Sequence, residues 1–288
     1  MFAAAEARLL PDGRRLHLSQ GPIDLIIEAF GPPDEITAAY RRAEFCFRDI
    51  LTTLVAELPD LRKPVVEPAW QPVGPVAQRM MKACWPHREN FVTPMAAVAG
   101  SVADEVLKSL AAAGRINKAY VNNGGDIAFY LGDGESLTAG IVGDYHLPNI
   151  DATCDLTSDM AVRGVATSGW KGRSHSLGIA DAVTVLAVDA AAADVAATLI
   201  ANAVDADHPA ITREAACDVD PDSDLGDRMV TTDVGALDKA TIDAALEEGA
   251  KVAETLRRAG LIEAAVLVLQ QEFRTVGALP AGLLTGET

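Results

Sequence analysis

The stretch Lys118-Ala-Tyr-Val-Asn-Asn-Gly-Gly-Asp-Ile-Ala-Phe-Tyr-Leu131 decides how the chain folds, because two apolar runs flank a polar turn. Runs 118–121 and 127–131 have the composition of β-strands, and the Asn-Gly step between them is typical of a β-hairpin. A third apolar run, 136–142, follows the turn signal Asp133-Gly134. We therefore predict three consecutive strands in an antiparallel meander.

The turn between the first two strands carries more polar function than a connection needs. Its glycines, Gly124 and Gly125, permit positive φ angles and leave main-chain amides uncovered. Asn122, Asn123 and Asp126 add side-chain oxygens and amides at the end of a strand. Such a turn can hold a nucleotide, and a plain hairpin turn accounts for the same residues.

Towards the N-terminus, strand patterns give way to helical spacing. Residues 16–18 and 23–30 are predicted to be strands, and apolar residues from about 32 to 59 recur at the spacing of one helix. Segment 59–94 then contains seven prolines, which disfavour long regular elements apart from a short helix near 77–83.

This proline-rich connector is the expected boundary between two subdomains, 1–92 and 93–288, of a single domain, 1–288. Thr93 and Pro94 then predict the start of a helix that runs to about Ala113. The first half of this helix consists of small residues around Gly100, which permit either tight helix packing or the close approach of a ligand.

A second polar segment follows the predicted strand 164–166, and it precedes a strand at 182–188 and a helix at about 189–204. It contains hydroxyl, imidazole and glycine groups suited to holding a phosphate or an acceptor hydroxyl. These candidates are Thr167, Ser168, Gly169, Ser174 and His175. A solvated surface loop is the alternative.

On that last helix, Asp194 and Thr198 are four residues apart and so project from one face. A carboxylate and a hydroxyl so placed can share Mg²⁺. The alternative is an exposed Asp beside a Thr that bonds back to its own helix. A final helix, 242–256, and a strand, 262–269, complete the predicted elements.

Composition narrows the classes of partner. The formal net charge is −17 for 288 residues, and no basic stripe is present, so neither nucleic acid nor an anionic membrane is an expected partner. The four cysteines are widely spaced, which favours reduced thiols. Since no leader segment or membrane-length apolar run is recognised, we expect a cytoplasmic protein.

Taken in order, these segments resemble the ApbE-like family of flavin transferases, and most closely its cytoplasmic branch of unknown function. The matching pieces are Pro94-Met-Ala-Ala-Val-Ala-Gly-Ser-Val-Ala-Asp104, Val121-Asn-Asn-Gly-Gly-Asp-Ile127, Val165-Ala-Thr-Ser-Gly169, Ser174-His-Ser-Leu-Gly178, and Ala193-Asp194 with Thr198. The resemblance implies an α+β fold, with antiparallel or mixed sheets packed with helices in two intimately associated subdomains.

The resemblance also implies chemistry. Asp194 and Thr198 would bind Mg²⁺, and His175 would act as a base. FMN would pass from FAD to a hydroxyl on a partner protein, with AMP leaving. The flavin dinucleotide site would include Gly100, Asn122, Asn123, Gly124, Gly125, Asp126, Thr167, Ser168, Gly169 and Ser174.

Two departures from the family pattern keep other functions open. Ala99 stands where the family has Lys before the glycine matching Gly100, and Ser176-Leu-Gly-Ile179 replaces an Asp-Pro-x-x-Gly run. Three hypotheses follow: an ApbE-like enzyme or binder of flavin or a related nucleotide, an enzyme of another substrate class, and a non-catalytic module. In the third, the small-residue helices pack between subunits of a homodimer.

Overall fold

The computed structural model describes residues 4–112, 114–141, 152–172 and 174–278. Ala113, Val142 and Arg173, which fall in predicted segments, lie outside the described residues. The strands are β1 Glu6–Leu9, β2 Leu16–Gln20, β3 Ile23–Phe30, β4 Lys118–Asn123, β5 Asp126–Leu131, β6 Ser136–Ile141, β7 Ala152–Thr157, β8 Gly164–Ser168, β9 Ala182–Ala187, β10 Ile211–Ala215, β11 Met229–Val234, β12 Ala264–Leu269 and β13 Glu272–Val276.

The helices are α1 Pro33–Phe47, α2 Ile50–Leu61, α3 Pro75–Cys84, α4 Val98–Ala111, α5 Ala190–Ala203, α6 Ala216–Val219 and α7 Lys239–Arg258, and 3₁₀ turns occupy Trp85–His87 and Pro94–Ala97. This mixture of helices and antiparallel strand pairs confirms the predicted α+β class. No helix of the described residues is long and apolar enough to cross a membrane.

The chain divides into two compact units. The first comprises Met1–Leu137, Thr157–Val165 and Val188–Asp194, and the second comprises Thr138–Leu156, Ala166–Ala187 and Val195–Thr288. The expectation of a single domain with subdomains 1–92 and 93–288 stays a prediction.

In the first unit the strands follow the order β1-β2-β3-β4-β5 and the first two residues of β8, with each neighbouring pair antiparallel. Alternate residues of β2 and β4 are buried, which is the period-two pattern of a sheet with one face against a core. Helices α1 to α4 supply the other side of that core. Phe47, Leu25 and Leu110 are among its fully buried side chains.

In the second unit β9, β12 and β13 form consecutive antiparallel pairs. Every residue of β9 and β12 is buried, as expected of strands covered on both faces. Helix α7 turns Ile242, Leu246 and Ala253 inward at helical spacing. The pairs β10–β11 and β6–β7 form two small separate sheets.

Three predictions of local structure were wrong in detail. The single helix predicted for residues 32–59 is two helices, broken at Arg48-Asp49, where neither glycine nor proline interrupts the apolar spacing. The predicted third strand of the meander, β6, pairs with β7 and not with β5, because a turn signal fixes a reversal but not the partner of the next strand. The helix predicted from Met95 begins with a 3₁₀ turn, and its α-helical part starts at Val98.

Candidate functional site

The hairpin β4–β5 closes with a two-residue turn. Gly124 and Gly125 have φ angles of 66° and 114°, so both need the left-handed region that glycine reaches without strain. Asn122 Oδ1 accepts a hydrogen bond of 2.9 Å from the amide of Gly125. That amide is therefore used within the turn. A side chain built on Gly125 would meet nothing within 4 Å, so the outer surface of the turn is open.

The pleat of β4 separates its two asparagines. Asn123 pairs with Asp126 and lies on the same face of the sheet as the buried Val121, whereas Asn122 lies on the opposite face. Asn123 Nδ2 donates to the main-chain oxygen of Ala99 at 3.1 Å. Asn123 and Asp126 are only 7% and 8% exposed, and they form the polar end of a face that is otherwise apolar.

The first turn of α4 is joined to α5 by a carboxylate. The amide of Gly100 donates to Asp194 Oδ2 at 3.0 Å. A Cβ on Gly100 would lie 2.2 Å from the main-chain oxygen of Ala190, so the two helix backbones touch at this point. Tight packing, one of the two interpretations that the sequence left open, is thus present. A cofactor contact at Gly100 stays a prediction.

Like charges collect around this contact. Burial, and next the charge of Asp126, raise the pKa of Asp194 well above its usual range, although the amides of Gly100 and Ala99 act in the opposite direction. Burial, and next the charge of Asp189, raise the pKa of Asp104 to about 6. The ionised forms of Asp104 and Asp194 are therefore both disfavoured where α4 meets α5.

The donor set fits a hard cation that also binds a ligand. Asp126 and Asp194 supply carboxylate oxygens in a partly desolvated place, and Mg²⁺ in proteins commonly takes one or two carboxylates together with phosphate oxygens of a substrate. Within the described ranges, no group of three or more His, Cys, Asp or Glu side chains is arranged to hold a metal. The fit is to a shared metal–phosphate site and not to an all-protein cage.

In the second unit, the polar segment after β8 is held at its start by Asp181. Trp170 Nε1 donates to Asp181 Oδ1 at 3.1 Å, and Lys171 Nζ lies 3.1 Å from the same oxygen. The other oxygen, Oδ2, accepts from the amide of Gln270 at 2.6 Å. A Cβ on Gly169 would lie 2.3 Å from the main-chain oxygen of Asp181, so this glycine is required by close packing.

The same segment is held at its end by Ser176. Its hydroxyl bonds Asn202 Oδ1 at 3.2 Å, and Asn202 Oδ1 also accepts from the amide of Leu177. Ser174 is exposed and His175 is half-buried between these anchors. The segment is therefore fixed at both ends, which a freely solvated loop would not be.

Three predicted site residues remain to be placed. Thr167 and Ser168 form the last two residues of β8, and Thr167 Oγ1 lies 2.9 Å from Thr184 Oγ1 of β9. Thr198 is half-buried on α5, one helical turn after Asp194. The structure thus brings together Gly100, Asn123, Asp126 and Asp194 within the first unit, and Thr167, Ser168, Gly169, Ser174, His175 and Thr198 belong to the second.

Sequence reasoning missed two anchoring carboxylates. Asp104 accepts from the amides of Ala190 and Ala191 at 3.1 and 2.9 Å, at the start of α5. A signal for it existed, since Asp104 is the one acidic residue in the small-residue half of α4, four positions after Gly100. Asp181 had no comparable signal, because it directly precedes an apolar strand and resembles any strand-flanking polar residue.

Comparison with known proteins gives a family match over nearly the whole chain. A family model described as AbpE bacteria matches residues 7–275. A UPF0280 protein of Methanothrix thermoacetophila is 37% identical over 161 residues, which are 55% of this chain and 64% of that protein. A UPF0280 protein of Methanosphaerula palustris is 34% identical over 189 residues, covering 57% of this chain and 77% of that protein.

These relatives are matched only in part. The chain spans about half the length of two further archaeal UPF0280 proteins. Among solved structures, the chain is similar to the apo form of the flavinyl transferase ApbE of Pseudomonas stutzeri. The two superpose over 96% of this chain and 95% of that one, with 15% sequence identity and a TM-score of 0.42. At that TM-score the likeness carries no information about what this chain binds.

The family match confirms the resemblance predicted from the ordered segments between Pro94 and Thr198. It extends that resemblance to the N-terminal strands and to the last strand, β13. The chain belongs to the family described as AbpE bacteria, within the ApbE-like superfamily, and to the UPF0280 proteins.

Proposed function

We propose that the protein binds a flavin nucleotide or a related nucleotide together with Mg²⁺. The observation that supports this most is the pair Asp126 and Asp194, whose charges oppose each other beside the open Gly124-Gly125 turn. Because the charge of Asp126 raises the pKa of Asp194, a cation bound beside both carboxylates would relieve their repulsion.

The residues have separable roles in this proposal. Asp126 and Asp194 would hold the cation, with Thr198 as the predicted hydroxyl ligand on α5. Asn123 is oriented by its bond to the oxygen of Ala99, which fixes the side chain that neighbours Asp126. Bound Mg²⁺ would supply positive charge that neutralises a pyrophosphate.

Transfer of FMN from FAD to a protein hydroxyl is the corresponding reaction for an ApbE-like protein. In it, the hydroxyl oxygen bonds to the FMN phosphorus, the pyrophosphate bond breaks, and AMP leaves. His175 is the proposed base that takes the hydroxyl proton. Chromatography that measures the AMP released from FAD by wild type and by His175→Ala tests this step separately from binding.

Isothermal titration with FAD, in Mg²⁺ and in EDTA, tests the binding proposal. Wild type is expected to bind FAD more tightly in Mg²⁺ than in EDTA. In Asp126→Asn and in Asp194→Asn, the ratio of these two affinities is expected to fall by at least about tenfold. Asp133→Asn is the matched control, because Asp133 is exposed beyond the other end of β5. No heat from FAD, FMN or ADP with folded wild type would reject the proposal.

A stability measurement distinguishes a binding role from a structural one. Because Asp126 and Asp194 repel, we expect Asp126→Asn to unfold at the same or a higher temperature than wild type in EDTA while losing the Mg²⁺ effect. A fall in both stability and ligand binding would instead point to a structural carboxylate.

A further inference from the structure

Helices α4 and α5 exchange carboxylate caps. Asp104 of α4 accepts from the amides of Ala190 and Ala191 at the start of α5. In return, Asp194 of α5 accepts from the amide of Gly100 in the first turn of α4. Each Asp lies four residues after a capped amide of its own helix, Gly100 in α4 and Ala190 in α5, so the two contacts are reciprocal.

This exchange takes the place of a local side-chain cap at α4 and adds to the local cap at α5. The first amides of a helix have no partner within it and need an outside acceptor. The residue before α4 is Ala97, whose side chain cannot cap. At α5 the local Asp189 reaches only the amide of Ala192, at 2.8 Å, and Asp104 accepts from the two amides before it.

The exchange is possible because the two backbones touch at Gly100 and Ala190. Asp104 is 8% exposed, so its carboxylate is anchored inside the first unit and its position is fixed by packing. Asp194 lies one helical turn after the amides that Asp104 holds. A shift or rotation of α5 at its start would therefore move Asp194 relative to Asp126.

We propose that Asp104 is a positioning residue, which by capping α5 sets where Asp194 lies relative to Gly100 and Asp126. Its effect on metal affinity rests on the proposed function, whereas the mechanical link between the two caps does not. Asn at position 104 keeps the shape but can accept at one oxygen only, and its amide nitrogen faces a second N–H donor.

The test uses Asp104→Asn in the full chain, with Asp238→Asn as the matched control. Asp238 caps α7 by accepting from the amide of Thr241 at 3.0 Å, in the second unit. Hydrogen exchange is read at Gly100, an amide that Asp104 does not touch, with Leu110 later in α4 correcting for global stability. Affinity for Mn²⁺, used as the probe ion in the presence of FAD, is read by electron paramagnetic resonance.

We expect Asp104→Asn to speed exchange at Gly100 by about fivefold, the effect of losing one cap, and to weaken Mn²⁺ binding by about tenfold. Asp238→Asn should lower stability and leave both readings unchanged. Unchanged exchange at Gly100 in folded Asp104→Asn would overturn the proposal.

The two proposals fail separately. If wild type binds no Mn²⁺ in the presence of FAD, the proposed function falls, and the exchange rate at Gly100 still decides whether Asp104 positions Asp194. If Asp104→Asn does not fold, Asp194→Asn gives the reciprocal reading. Faster exchange at Ala190 and Ala191, by about fivefold, supports the linked caps, and unchanged exchange refutes them.

Discussion

Gly100→Ala is the substitution whose effect follows most directly from the structure. The new Cβ would lie 2.2 Å from the oxygen of Ala190, 2.5 Å from its carbonyl carbon and 2.8 Å from the nitrogen of Ala191. All three are main-chain atoms, so no side chain can move aside. The start of α5 must separate from α4.

The expected magnitude is a sum of opposing terms. Alanine gains about 1 kcal/mol of helix propensity over glycine. Overpacking costs about 1 to 3 kcal/mol, and loss of the charge-assisted bond from Gly100 to Asp194 costs about 1.5 to 3 kcal/mol. We expect a net destabilisation of about 3 kcal/mol, which lowers Tm by roughly 5 °C.

Urea unfolding followed by circular dichroism measures this loss, with Gly249→Ala as the control. Gly249 is also helical, in α7, but its added Cβ would meet the side-chain atoms Val204 Cγ2 at 2.3 Å and Leu267 Cδ2 at 2.8 Å, with the main-chain oxygen of Ile200 farther away, at 3.5 Å. Its loss should be about 1 kcal/mol, since the gain in helix propensity offsets part of the overpacking cost and no hydrogen bond between helices is broken. If Gly100→Ala were as stable as wild type, the close contact of α4 with α5 would be refuted.

Gln271→Gly should raise the free energy of unfolding by about 1 kcal/mol, because Gln271 is exposed at a φ of 71°, whereas Gln270→Gly should lower it, since the Gln270 side chain bonds the oxygen of Gly235. Burial, and then the charge of Glu28, raise the pKa of Tyr120 to about 12. Folding therefore favours the neutral phenol. The stability that it contributes is fully present below pH 10 and is lost as the pH rises through 12. Between pH 9 and pH 11, urea unfolding should show the free energy of unfolding of wild type falling by about 1 kcal/mol more than that of Tyr120→Phe. Burial raises the pKa of the Cys154 thiol to about 11, so iodoacetamide at pH 8 should alkylate Cys154 far more slowly in the folded protein than in urea. Mass spectrometry measures the two rates, and equal rates would contradict this.

The sequence predicted the strands and helices wherever local pattern and tertiary packing agree. The hairpin around Gly124-Gly125 is confirmed, because the Asn-Gly signal and the alternating burial on both sides favour the same register. The break between α1 and α2 could not be read, since Ile50 and Leu51 continue the apolar spacing across it. The pairing of β6 with β7 depends on contacts that are distant in sequence.

In the candidate site, too, the features that depend on local sequence could be predicted and those that depend on distant contacts could not. The family segments identified Asp194 and the Gly-Gly turn, which local composition could suggest. That Asn123 faces the helices while Asn122 closes the turn follows from strand register, which the sequence fixes only once the turn length is known. The role of Asp104 depends on the crossing of two helices that are 86 residues apart at their contact, and no local pattern encodes that.

The two-residue turn at Gly124-Gly125 also fixes how many residues can separate β4 from β5. Side chains alternate between the faces of a strand, so one inserted or deleted residue between Asn123 and Asp126 would reverse the faces of β5 or force a bulge. Asp126 would then leave the side occupied by Asp194, although every residue of the segment was conserved in type. A change in the length of this hairpin should accordingly be tolerated even less than a substitution at Gly124 or Gly125, whose positive φ angles already disfavour other residues.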